Sequence, residues 1–128
     1  MPKIDIPAVP KRKGSGYPLP FDAPCAERVR QRLGNAGGLT DFGVNLMRLP
    51  PSNWSSQRHW HSAEDEFVYV LEGELTLIED GGETALRAGD CAPSERLRQR
   101  PSLDQQIGCN GRLSGSRRAL ARRHYHLL

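Results

Sequence analysis

No apolar run in this sequence approaches the ~18–20 residues that a membrane-spanning helix needs, so no membrane partner is expected. A secretory leader is also lacking, because prolines break Met1 to Pro10 and no hydrophobic core segment follows. The cysteines number three, Cys25, Cys91 and Cys109, which gives no even-numbered disulfide framework. Their spacing suits neither a zinc knuckle nor a CxxC redox pair. A cytoplasmic location is the resulting expectation. With 128 residues there is room for one domain.

Lysine is absent after Lys13, and acidic residues nearly vanish after Cys91. Positions 1–91 hold 10 Lys+Arg against 13 Asp+Glu, a formal net of −3. Positions 92–128 hold 8 Arg against Glu95 and Asp104 alone, a net of +6, so the basic character of the chain belongs to its last 37 residues. Such asymmetry ordinarily suggests a nucleic-acid-binding tail. A recognition helix, however, needs a defined register and an apolar docking face. Arg112 to Arg123 is interrupted by Gly115 and offers neither, so no nucleic-acid partner is expected.

What is present falls into three parts. Residues 1–38 form a Pro-rich arm, in which Pro2, Pro7, Pro10, Pro18, Pro20 and Pro24 disfavour both a continuous helix and a central strand. Lys11-Arg12-Lys13 before Gly14-Ser15-Gly16 reads as a solvated basic patch. Ala26 to Leu33 reads either as a helical turn or two or as extended chain protecting a sheet edge. Residues 39–92 carry the strand signals. Val44 to Leu49 alternates imperfectly and ends at Pro50-Pro51, and Trp54 to His61 reads as a second strand. Glu66 to Leu71, Glu74 to Ile78 and Glu83 to Leu86 are short strands, separated by turns at Glu72-Gly73 and Asp80-Gly81-Gly82 and followed by one at Ala88-Gly89-Asp90. Short strands between Gly/Asp turns indicate an all-β antiparallel sandwich or barrel. Residues 93–128 have no stable period and are expected to be disordered or poorly packed.

His59-Trp60-His61 carries the chemistry. In a strand, the period of two puts both imidazoles on one face and Trp60 on the other. After a turn-like Ser62-Ala63-Glu64-Asp65, Glu66 opens the next strand, and antiparallel pairing can bring it beside the histidines. Two imidazoles and a carboxylate form a first shell for a borderline divalent metal, with a fourth ligand or water still to be supplied. By spacing alone the bland alternative stands beside it: two surface histidines and an ordinary acidic loop.

Arg58 to Gly73 resembles the first motif of the cupins, His-x-His, three or four residues, Glu, six residues, Gly, which His59, His61, Glu66 and Gly73 match in every spacing. Asn53 stands where that motif usually begins with Gly, and L-R-A-G-D, Leu86 to Asp90, resembles the opening of the second motif. The resemblance implies a double-stranded β-helix, or jelly-roll barrel, that holds Zn, Mn, Fe or Ni through His59, His61, Glu66 and a histidine of the second motif. It also implies an unknown small-molecule substrate or ligand, and a homodimer. A non-catalytic module that binds or senses a sugar-like molecule is the alternative, since a fold does not fix a function.

The second motif does not continue. It should pass through a Pro-x-Gly turn to a His and then an Asn, yet no His stands between His61 and His124. A slip of the coding frame near Ala92 accounts together for the missing ligand, the charge jump and the lost strand period. Codons exist for Ser94 to Leu97 that, read from the second base, spell P-S-G-S, and for Arg98 to Gln106 that spell A-N-G-H-H-L-I-N. On this reading the barrel is incomplete at its C-terminal end, metal binding is weak or absent in the chain as written, and His124 and His126 are not ligands.

Overall fold

The computed structural model describes residues 1–57, 64–79, 82–94, 108–110 and 117–125. Among these, the strands are β1 (Lys11–Lys13), β2 (Val29–Arg32), β3 (Phe42–Leu49), β4 (Glu64–Glu72), β5 (Glu74–Glu79), β6 (Gly82–Arg87), β7 (Cys91–Ser94), β8 (Gly108–Asn110) and β9 (Arg117–Tyr125). One helical turn, α1 (Leu33–Ala36), joins β2 to β3. The strands form a larger sheet in the order β1-β2-β3-β9-β4-β7 and a smaller one in the order β6-β5-β8. The all-β class expected from the turn spacing is the class observed.

Period-two patterning decides which faces meet. On β4, Val70 is fully buried while Phe67, Tyr69 and Leu71 stand exposed on the opposite face. Leu75 and Leu77 alternate inward on β5, and Leu75 lies opposite Leu86 of β6. Leu49, Val70, Leu75, Leu77 and Leu86 form one core cluster, with Val68 and Ala92 packed against it. Each fully buried side chain of this kind contributes roughly 1.5–3 kcal/mol relative to exposure. The core therefore sits where β3, β4, β5 and β6 converge.

The N-terminal arm is more ordered than its prolines suggest. Arg30 to Arg32 lie in β2 rather than in a helix, and β2 pairs with β3 through Gln31↔Leu46. The basic tripeptide becomes β1, the edge strand beside β2. A three-residue edge of exposed Lys-Arg-Lys discourages further strand addition by charge and brevity. Gln31 is 2% exposed, and its Nε2 donates to the carbonyl oxygens of Ile6 and Val9, each at 2.8 Å. That one amide pins the arm across the sheet.

Three local expectations are corrected. Trp54 does not open a strand: it makes an isolated bridge, its N–H donating to Pro24 O at 2.8 Å, and Ser55 to Gln57 depart from extended pairing. Pro50, Pro51 and the left-handed Ser52 (φ 61), two residues before Trp54, interrupt the ladder. Glu64 and Asp65 are not a turn but the first residues of β4. The region after Ala92, expected without strands, supplies β8 and β9. β9 fills the slot between β3 and β4, with Leu46↔Leu120 and Val68↔Ala121 in register. Backbone hydrogen bonds are indifferent to side-chain identity, so an Arg-rich segment can occupy a slot that two long strand edges leave open. The expected strand through His59 and His61, and the Asp80-Gly81 part of the hairpin, lie outside the described residues. No helix among the described residues is long and apolar enough to cross a membrane.

Candidate functional site

A cavity of about 390 Å³ opens between α1, β2, β3 and β4. Strand alternation selects its walls. Arg30 pairs with Met47 and Arg32 with Asn45, so these four residues share a face and line the space, while Gln31 and Leu46 face the other way. Met47 and Leu49 supply an apolar wall from β3, and Val68 and Leu75 extend it from β4 and β5. Glu66 lies two residues before Val68 on the same face, is half-buried and lines the same cavity. Asn35, Thr40, Asn45, Ser55 and Ser56 add neutral hydrogen-bonding groups.

Of the three residues expected to hold a metal, Glu66 therefore stands in a pocket, and His59 and His61 lie outside the described residues. Among the described residues, no three His, Cys, Asp or Glu side chains gather in a way that could hold a metal ion. The donor chemistry of His59, His61 and Glu66 suits a borderline divalent ion, and a half-buried carboxylate in an otherwise cationic cavity is a fitting part of such a set.

Three arginines were not anticipated as site residues. Arg28, Arg30 and Arg32 all line the cavity, and they run from buried through half-buried to exposed. Arg28 is 8% exposed. Its Nε donates to Gly14 O at 3.0 Å, another guanidinium nitrogen donates to Ser55 O, and its Cζ stands 6.0 Å from the centroid of the Tyr17 ring. Among the described residues it has no carboxylate partner. The signal was available in R-V-R-Q-R, residues 28–32, since alternation in a strand aligns all three on one face. It went unused because the arm did not read as a strand.

Cys25 is fully buried, and that burial pushes its thiol above the ordinary value, with the Arg28 charge opposing. Cys91 is exposed at the start of β7.

The family model for the Cupin domain (Cupin_2) matches residues 45–93. A sugar phosphate isomerase from a cupin superfamily of Silicibacter pomeroyi is 38% identical, over 98% of this chain and 76% of that one, with a TM-score of 0.90. A candidate sugar phosphate isomerase from Acidithiobacillus ferrooxidans is 26% identical, over 79% of this chain and 61% of that one, with a TM-score of 0.70. A predicted oxalate decarboxylase from Thermotoga maritima, 17% identical over 97% of this chain and 99% of that one, shares the fold with a TM-score of 0.72. The chain thus spans about three quarters of the first relative and about three fifths of the second. A comparison with curated proteins finds no match.

Proposed function

Because this chain belongs to the cupin superfamily, we propose that its cavity is a divalent-metal site that receives a small polar molecule, with a phosphorylated sugar as the substrate class to test first. His59, His61 and Glu66 would hold the metal. The observation that carries this reading is the position of Glu66, which lines the cavity that opens between α1, β2, β3 and β4. When bound, a metal supplies Lewis-acid polarisation of a ligand oxygen. The chain's own residues supply the rest. Asn45, Thr40 and Ser55 offer hydrogen bonds of the kind a hydroxylated molecule takes, while Met47 and Val68 keep one side of it dry. The names of the two relatives support a sugar phosphate, and the cationic wall is consistent with it.

The displaced frame after Ala92 belongs to the same proposal. The second-motif histidine would be the fourth ligand, and the chain as written lacks it. A first shell short of one imidazole binds metal weakly, because one of its protein ligands is missing.

The test is an aldose–ketose interconversion assay with sugar phosphates. It uses this chain and a version restored by one base near the Ala92 codon, each supplied with Mn²⁺, Zn²⁺, Fe²⁺ or Ni²⁺. Turnover that depends on the metal and is lost in Glu66→Gln supports the reading. Ligand binding without turnover in the metal-loaded restored chain makes the molecule a sensing module instead.

A further inference from the structure

We infer that Arg30 and Arg32, backed by the fixed charge of Arg28, form a phosphoryl-binding subsite along one wall of the cavity. This deepens the proposal above and rests on the cavity being a ligand site, but it does not depend on a metal being bound.

The first support is charge. Among the described residues lining the cavity, three are arginines and one, Glu66, is a carboxylate. Even with Glu66 ionised, the space carries a positive excess, and a cation bound at Glu66 would raise it further. Low-dielectric walls focus such a field on whatever enters.

The second support is the state of Arg28. A charge this deeply buried normally requires a paired counter-charge. Arg28 instead spends its N–H groups on the carbonyls of Gly14 and Ser55 and lies over Tyr17, and among the described residues no carboxylate neutralises it. Those contacts engage part of the guanidinium without offsetting its charge, and no carboxylate among the described residues does so. An anion in the cavity completes the balance.

The third support is spacing. Arg30 and Arg32 are two residues apart on one strand face, which sets their backbones roughly 6.5–7 Å apart. Two guanidinium forks at that separation can close on one tetrahedral anion from two sides, which a single fork cannot do. Arg32, exposed at the mouth and with no carboxylate partner among the described residues, meets an incoming ligand first. Arg30, half-buried, lies deeper. A phosphorylated sugar would then lie with its phosphoryl end against β2 and its hydroxyls toward Asn45, Ser55 and Glu66.

The test is titration of the full chain with inorganic phosphate in the presence of EDTA, followed by calorimetry at low ionic strength. Saturable binding is expected in the unsubstituted chain. In Arg30→Gln/Arg32→Gln it should weaken by about tenfold or more, the loss expected when charge-assisted hydrogen bonds are removed. Arg87→Gln, which removes an exposed arginine paired with Glu74 on the other sheet, should leave it unchanged. If the double glutamine variant loses its β-sheet circular dichroism, Arg30→Lys/Arg32→Lys replaces it. Charge is then kept and the forks are lost, and a several-fold weakening is still expected. Equal phosphate affinity in the folded variants and the parent overturns the subsite, as does absence of saturable binding in the parent. Malonate binding more tightly than phosphate overturns the phosphoryl assignment. Metal uptake, measured separately without EDTA on the chain restored near the Ala92 codon, keeps the two proposals apart: phosphate binding by the full chain with no metal uptake by the restored one supports the subsite and contradicts the metal reading alone.

Discussion

Gly89 donates its backbone N–H to the carbonyl oxygen of Val70 at 2.9 Å, and Val70 donates its own N–H to Asp90 O at 2.9 Å. The residue that leads the second motif is thereby tied to the strand that carries Glu66. The turn is closed by Asp90, whose Oδ2 accepts from Arg87 N at 2.8 Å, and by Ala88 N donating to Gly73 O at 3.0 Å. Two sequence motifs separated along the chain are in this way one piece of backbone architecture, and Val70 anchors it in the core.

That turn predicts a cost for a single methyl group. Gly89 has φ +96, a conformation that side chains rarely adopt, although a Cβ there would meet open space. Gly89→Ala should lower stability by about 1–3 kcal/mol through backbone strain alone. Gly16→Ala, also in open space but without a positive φ, should be neutral or slightly stabilising. Chemical denaturation of the two variants side by side checks this, and equal midpoints would refute it.

Gln31 gives a second prediction. Gln31→Ala removes the donor to Ile6 O and Val9 O and leaves a void beneath the arm. A loss of about 1–3 kcal/mol is expected for the stranded carbonyls. Limited proteolysis should then cut within residues 1–20 faster than in the parent, and an unchanged cleavage rate would mean that the arm is held by something else.

The contrast between Gln31 and Glu66 explains what was legible. β4, β5 and β6 announced themselves because Val, Leu and Ile alternate against charged residues between Gly-containing turns, and burial of one face rewards that pattern directly. β2 did not, because one face carries arginines on a cavity and the other only Val29 and Gln31, too few apolar residues to make a stripe. Its register is set by pairing with β3 and by Gln31, which are tertiary facts. Glu66 was singled out by its motif spacing, whereas the cavity-lining arginines were not, although R-V-R-Q-R has the right period. β9 was illegible for a different reason: its place depends on the edges of β3 and β4, not on its own side chains.

The cysteines provide a pH-dependent prediction. The Cys25 thiol is raised in the folded protein, so the fold favours its neutral form. The stabilising contribution is fully present below the thiol's unfolded value and is lost as pH rises through the folded one. Iodoacetamide at pH 8 with peptide mapping should therefore label exposed Cys91 well before Cys25, and Cys25 should react only on unfolding or at strongly alkaline pH. Labelling of both at one rate in the native protein would contradict the buried environment of Cys25.

Metal uptake tests the proposed site most directly. After EDTA treatment, this chain and the chain restored by one base near the Ala92 codon are titrated with Mn²⁺ and Zn²⁺, and bound metal is measured after desalting. Tight one-to-one uptake is predicted only in the restored chain. His59→Ala, His61→Ala or Glu66→Gln in that chain should each abolish it. Equal uptake by both chains, or uptake by the restored chain that survives all three substitutions, would contradict it.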